Sequence, residues 1–325
     1  MPEACGQDNF AMTISYLWRL MGQKKLIRFE ELKTFTNVLQ FPQGIQGKWN
    51  EHFGNSHPII LELACGKGEY AVGLGQMYPG KNFIGVDLKG NRIWVGAKKA
   101  RQTGLINVAF LRTQIDQVAE YFSKNEVREI WITFPDPQLR TSKAKKRLTH
   151  PKFLRLYRQF LVPGGLIHLK TDSPDLYHFT KQVIKLYGCV LHSDEDNVHA
   201  KESIAPELKI KTHYELLDIA GSNKIHYLSF SLPEQLPGKE KDEELKQSLK
   251  PATLHAAPLV EGQHYYFNPQ GLIVLTEKYH LERGYCCGNG CLHCPYHYDN
   301  VPEPRRTELI RDKSGERASG NSTKY

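Results

Sequence analysis

Between Pro58 and Leu191 short apolar runs of strand length alternate with stretches whose apolar residues recur every three or four positions. That alternation is the signature of a parallel sheet with crossover helices. The pattern predicts strands at Ile59 to Ala64, Asn82 to Leu88, Val108 to Arg112, Glu129 to Phe134, Leu166 to Thr171 and Cys189 to His192. Amphipathic stretches at Glu69 to Met77, Arg92 to Gln102 and Phe153 to Phe160 fill the intervals, and a later strand from Ile225 to Leu232 is placed to close the sheet. The order is that of a doubly wound α/β fold.

After Leu232 the chain turns to charge and proline, too poor in apolar residues to bury a core. Residues 233–262 read as a linker, 263–300 as a small cysteine-rich domain, and 301–325 as a disordered tail. Met21-Gly22-Gln23-Lys24-Lys25 looks like an ordinary beginning, so residues 1–20 read as a poorly ordered extension and residues 21–232 as the main domain.

Composition narrows the setting. With 40% hydrophobic and 24% charged residues the chain is that of a soluble globular protein, and no apolar run approaches the roughly 20 residues of a bilayer helix. The first twenty residues lack a basic region and a cleavage site, so they are not read as a signal peptide. Of seven cysteines, four crowd into Cys286 to Cys294 and three are scattered, which points to a reducing, cytoplasmic setting and not to a secreted disulfide framework. From Leu88 to Arg158 sixteen Lys and Arg face five Asp and Glu, an excess larger than the +8 of the whole chain. Such a run fits a nucleic-acid partner, and it also fits a set of solvated helix faces.

Candidate chemistry gathers at the strand ends. Leu61-Glu62-Leu63-Ala64-Cys65-Gly66-Lys67-Gly68-Glu69-Tyr70 joins the first strand to the first helix, with glycines that let the backbone approach a nucleotide. Nicotinamide, flavin and S-adenosylmethionine proteins all use such a loop, and Ala64 stands where a first glycine commonly sits. Asp87 ends the second strand, placed to accept from both ribose hydroxyls of an adenosine, and Gln114 follows the third strand, placed to meet the adenine edge. The fourth strand runs into Phe134-Pro135-Asp136-Pro137, where two prolines stiffen the backbone on either side of one acid and hold it at the mouth of the crevice.

Taken together these residues resemble the tRNA (guanine-N(7)-)-methyltransferase family of the bacterial single-subunit type. The resemblance covers about Gly22 to Leu232. It rests on Glu62 to Glu69, on Phe83-Ile84-Gly85-Val86-Asp87-Leu88-Lys89-Gly90, on Phe134 to Pro137 with Lys145-Lys146-Arg147-Leu148, on Thr171-Asp172 and on Thr212-His213-Tyr214-Glu215. It implies a class I, Rossmann-like methyltransferase fold with a seven-stranded, mostly parallel sheet, S-adenosylmethionine as donor, and a variable-loop guanosine of tRNA as acceptor. It further implies that Glu62, Asp87, Gln114 and Asp136 contact the cofactor, that Asp136 is catalytic, and that Arg140, Asp172, Thr212, His213, Tyr214 and Glu215 hold the substrate. Gln138-Leu139-Arg140 departs from the family's frequent Trp-Pro-Lys, and Gln114 from a frequent acid.

The residue types suit that reaction. Guanine N7 carries a free lone pair, so attack on a methyl group needs no prior loss of a proton. An orienting acid is enough, and the basic run from Lys143 to Arg147 is placed to meet phosphates. A methyltransferase acting on a protein or small molecule, a nicotinamide oxidoreductase and a non-catalytic RNA scaffold are the rival readings; the first lacks use for the basic run, and the second lacks an evident hydride-transfer partner.

Cys286, Cys287, Cys291 and Cys294, with His293 and His297 among them, have a spacing compatible with tetrahedral zinc or an iron-sulfur cluster, and equally with a small fold of reduced, packed thiols. The segment resembles a short bacterial domain of unknown function, a likeness that implies no activity.

Overall fold

The computed structural model describes residues 26–200, 203–217, 224–249, 259–283, 286–301 and 303–314. The expected extension at residues 1–20 lies outside them. The chain divides into two compact units, Met1–Leu245 and Lys246–Tyr325.

In the first unit, helical residues 26–33 (α1) precede β1 (Val38–Gln40), α2 (Trp49–Phe53), β2 (Ile59–Leu63), α3 (Glu69–Met77), β3 (Asn82–Asp87), α4 (Gly90–Gln102), β4 (Val108–Arg112) and β5 (Val127–Thr133). Then come α5 (Pro151–Tyr157), β6 (Leu161–Thr171), α6 (Pro174–Leu186), β7 (Val190–Glu195), α7 (His213–Leu217), β8 (His226–Ser231) and the start of α8 (Glu240–Ser248), in which the unit ends. The strands form one sheet in the order β1-β4-β3-β2-β5-β6-β8-β7. Neighbours from β1 to β6 are parallel, and β8 is antiparallel to both β6 and β7. The sheet therefore has eight strands where seven were expected. The additional one, β1, is three residues long and half-buried, too short to show a period in the sequence.

Burial explains which segments became strands. All five residues of β2 are buried, as a central parallel strand covered on both faces requires. One face packs Ile60, Phe83, Phe110 and Trp131 under α3 and α4, which contribute Tyr70, Leu74, Ile93, Ala97 and Ala100. Helix starts are set locally. His150 Nδ1 accepts from the Lys152 amide at 3.0 Å ahead of α5, and Ser173 Oγ accepts from the Leu176 amide at 3.3 Å ahead of α6, each with proline in the first turn.

Residues 233–262, expected as a linker, carry α8. One apolar anchor, Leu245, is 1% exposed, and Asp242 accepts two bonds from Arg155 and one from Tyr187. A single apolar contact and a bidentate charge pair hold what composition alone could not.

The second unit holds a hairpin of β9 (Tyr265–Phe267) and β10 (Ile273–Leu275), then α9 (Glu277–Arg283), the cysteine segment and α10 (Arg305–Ser314). The tail was expected to be disordered from residue 301, yet residues 305–314 are helical. Leu309 packs against Cys286, Cys294, Tyr298 and Val301, a contact that a count of apolar residues in the tail does not disclose. No helix among the described residues is long and apolar enough to cross a membrane.

Candidate active site

The strand order reverses between β2 and β5, so a crevice opens beyond their carboxyl ends. The loop after β2 begins with Ala64 at φ 56°, a left-handed turn that glycine makes more easily, and ends at Gly68 with φ 69°. A Cβ on Gly68 would fall into the Phe110 ring. The loop thus keeps the glycine-type turn even where the sequence shows alanine.

Two acids frame this loop. Asp87 Oδ2 accepts from the Gly66 amide at 3.0 Å and Oδ1 from the Lys89 amide at 2.8 Å, so the carboxylate is oriented by backbone with lone pairs left toward the crevice. Glu62 is 3% exposed; its Oε2 accepts from the Ala71 amide at 2.8 Å in the first turn of α3, and its Oε1 from Thr133 Oγ1 at 3.0 Å across the switch point. Burial pushes its carboxyl up from 4.5 to about 8, against those two hydrogen bonds. Between these values the folded chain holds a proton that the unfolded chain has released, so the contribution of Glu62 to stability falls as pH rises through that window. Thermal denaturation is expected to show the unaltered protein losing stability relative to Glu62→Gln as pH rises from 4.5 to about 8; parallel curves would refute it.

β5 runs into the stiffened segment. Phe134 has φ 47° and donates its amide to the Lys170 carbonyl at 2.8 Å; Gln138 has φ 48° and donates its amide to Asp136 Oδ1 at 3.0 Å. Asp136 is exposed between two left-handed residues, at the carboxyl end of β5 as expected. The Arg147 guanidinium, 5% exposed, donates to the carbonyls of Pro137, Gln138 and Leu139 at 3.1 to 3.5 Å. Gln114 is exposed just past β4, and Arg140 is exposed at the start of a short 3-10 turn, Thr141–Lys146.

Of the remaining residues predicted for the substrate, Thr212 to Glu215 lie on a separate segment folded back onto the sheet. Thr212 Oγ1 accepts from the Glu215 amide at 3.1 Å and so starts α7, while the His213 amide donates to Glu69 Oε1 at 3.3 Å. Asp172 follows β6 at the same carboxyl edge; the side chain of Tyr214 lies outside the described residues. Glu215 faces inward. Its Oε2 meets Lys170 Nζ at 2.8 Å and its Oε1 lies 3.4 Å from His199 Nε2.

Lys170 was not singled out by the sequence. Its side chain is 0% exposed, it also donates to the carbonyls of Leu208 and Ile210 at 2.9 and 3.1 Å, and its ammonium lies 5.4 and 5.6 Å from the Tyr70 and Phe134 rings. One cation therefore ties α3, the end of β5 and residues 208–215 together. Its position in an alternating strand, two residues after buried His168, was the available signal.

The basic run separates into two kinds of residue. Lys143, Lys145 and Lys146 are exposed. Arg147 is buried, Arg112 lies between the Phe29 and Phe41 rings at 5.1 and 5.4 Å, and Arg155 is paired with Asp242 at 2.7 Å. Part of the excess charge is thus engaged within the protein. A cavity of about 450 Å³ opens on the same side of the sheet as α3, lined by Lys81, Glu129, Trp131, His168 and Tyr227, but it lies toward the opposite strand ends and away from Asp136.

In the second unit the cysteines pair off: Cys287 Sγ lies 3.2 Å from Cys291 Sγ, and Cys294 Sγ 3.7 Å from Cys286 Sγ. Among the described residues no group of three or more His, Cys, Asp or Glu side chains is arranged to hold a metal ion. The expected zinc or iron-sulfur site at Cys286, Cys287, Cys291 and Cys294 is therefore not supported. Neighbouring Cys286 and Cys287 turn to different partners, and Cys286 and Cys294 pack with Tyr298 and Val301 as a small core. His293, which spacing also offered as a ligand, shares a 2.9 Å hydrogen bond with the Tyr266 hydroxyl.

Comparison with known proteins agrees with this geometry. A family model described as "Putative methyltransferase" matches residues 56–227, and a family of unknown function matches residues 254–300. The tRNA (guanine-N(7)-)-methyltransferase of Bacteroides thetaiotaomicron is 43% identical over 235 residues, which is 70% of this chain and 92% of that protein. The enzyme of the same name from Porphyromonas gingivalis is 47% identical over 215 residues, 62% of this chain and 87% of that one. Among solved structures, the 16S rRNA methyltransferase KamB is similar at 14% identity and a TM-score of 0.46, over 61% of this chain and 99% of that chain. With a glycine-type loop, an oriented acid after β3 and a stiffened acid after β5 at one switch point, the chain belongs to the tRNA (guanine-N(7)-)-methyltransferase family.

Proposed function

We propose that this protein transfers a methyl group from S-adenosylmethionine to N7 of a variable-loop guanosine in tRNA, in the cytoplasm. The observation that carries this reading is the exposed Asp136, fixed between two left-handed residues at the crevice mouth, in a chain of this family. S-adenosylmethionine supplies an electrophilic methyl on a sulfonium. Asp87 is suited to the ribose hydroxyls, since its carboxylate is already oriented by two amides. Glu62 lies beneath the same loop and Gln114 beyond β4, where cofactor contacts are expected. Arg140, Asp172 and the Thr212 to Glu215 segment are assigned to the substrate side.

Guanine N7 attacks with its own lone pair, so no residue of the site has to remove a proton first. Asp136 is assigned two tasks: accepting from the N–H groups of guanine and holding the base in line with the methyl. Positioning of this kind can supply several kcal/mol of a barrier. The deciding experiment is a methyl-transfer assay on bulk tRNA with the modified base mapped. Label found on N7 of a variable-loop guanosine supports the reading, and label on another base or none refutes it.

Lys143, Lys145 and Lys146 are assigned to phosphates. Affinity for tRNA is expected to fall steeply with salt, and replacing all three with alanine should flatten the slope of log affinity against log salt by up to about three units. Filter binding across a salt series checks this, and an unchanged slope would show the lysines to be a solvated face.

A further inference from the structure

Arg147 stands in a run that reads as phosphate-binding, yet it is 5% exposed and its guanidinium points into the protein. Nε donates to the carbonyls of Pro137 and Gln138 at 3.1 and 3.3 Å; one terminal nitrogen donates to those of Gln138 and Leu139 at 3.2 and 3.5 Å. The Phe179 ring of α6 lies under the guanidinium at 4.5 Å. These three carbonyls belong to the turn that carries Asp136, and that turn contains left-handed Phe134 and Gln138, neither of which is glycine. Backbone of that kind persists only where its surroundings over-determine it. The planar fork of an arginine can meet three successive carbonyls at once, whereas a lysine ammonium is a point donor on a flexible stem.

We infer that Arg147 is a positioning residue that fixes the shape of the Asp136 turn, so that it governs turnover and not affinity for RNA. This role rests on the reading of Asp136 given above. Phe179 holds the guanidinium flat against α6, and the exposed lysines before it do a different job. The same basic run thus serves two ends, with the dividing line at a buried Ala144 and Arg147 on one side and exposed Lys143, Lys145 and Lys146 on the other.

The test compares Arg147→Lys with the unaltered full chain in steady-state methylation of tRNA, over a salt series. The expected result is a kcat lower by about 10- to 100-fold, with KM for tRNA within about threefold and its salt slope unchanged. A retained kcat, with a raised KM and a slope flatter by about one unit, would make Arg147 a phosphate contact and overturn the role. Should Arg147→Lys fail to fold, Phe179→Leu carries the test. It keeps the guanidinium and removes the ring beneath it while leaving an apolar side chain in the core, and kcat should fall several-fold at constant KM; an unchanged kcat overturns the role. Absence of methyl transfer by the unaltered protein would instead refute the function itself.

Discussion

Asp136→Ala is expected to lower the rate of methyl transfer to tRNA by about 100-fold or more, while affinity for S-adenosylmethionine falls far less. The asymmetry follows from where the residue sits. Asp136 is exposed at the end of β5, whereas the loop after β2 and Asp87, which are assigned to the cofactor, are held by their own backbone bonds. Asp136→Asn separates two contributions. Asparagine can still accept from the Gln138 amide and keep the turn, so a loss shared by both variants reports the charge, and a loss found only with alanine reports the turn. Single-turnover methylation paired with calorimetric titration of the donor measures both quantities. Undiminished turnover in Asp136→Ala would remove the residue from the chemistry.

The second large effect concerns the buried pair of Lys170 and Glu215. Lys170→Met leaves the Glu215 carboxylate, 4% exposed, without its nearest cation. Breaking a buried pair from one side typically costs about 3–5 kcal/mol, because the remaining charge is stranded. The double variant Lys170→Met with Glu215→Gln should recover much of that loss, since no charge is left behind. Burial pulls the Lys170 ammonium below its ordinary range while Glu215 opposes the shift, which is what a pair held at a real desolvation cost looks like. Urea unfolding of the two single variants and the double variant gives the coupling directly. Additive losses would mean that the two side chains do not interact. Methylation should fall together with stability in Lys170→Met, because this ammonium joins β6 to the carbonyls of Leu208 and Ile210 and to Glu215.

The sequence disclosed those parts of the fold and site that depend on periodicity and on rigid backbone. The central strands are buried on both faces and announce themselves as apolar runs, and Pro135 and Pro137 mark the stiffened acid whatever surrounds it. What stayed hidden depends on contacts between distant segments. β1 is three residues long and finds its place by pairing with β4. α8 is held by Arg155, more than eighty positions earlier. Arg147 looks like its neighbours until its side chain is seen to turn inward, and nothing in the local sequence announces that Lys170 meets Glu215, forty-five positions later. The cysteines illustrate the converse. Spacing was compatible both with a metal site of four thiols and with packed thiols, and the side chains stand in two close pairs.

β8 reaches the sheet last in chain order and is inserted between β6 and β7. Its six residues pair with β6 from Leu166 to Thr171, and among the described residues β7 has no other strand beside it. During synthesis, then, β7 leaves the ribosome before the strand it needs exists, and β6 waits as an open edge. The segment from 203 to 217 is in the same position, since it is enclosed between β7 and the strand still to come. A chain halted before His226 therefore keeps the loop after β2 while leaving β6 with an unpaired edge of the kind that seeds aggregation.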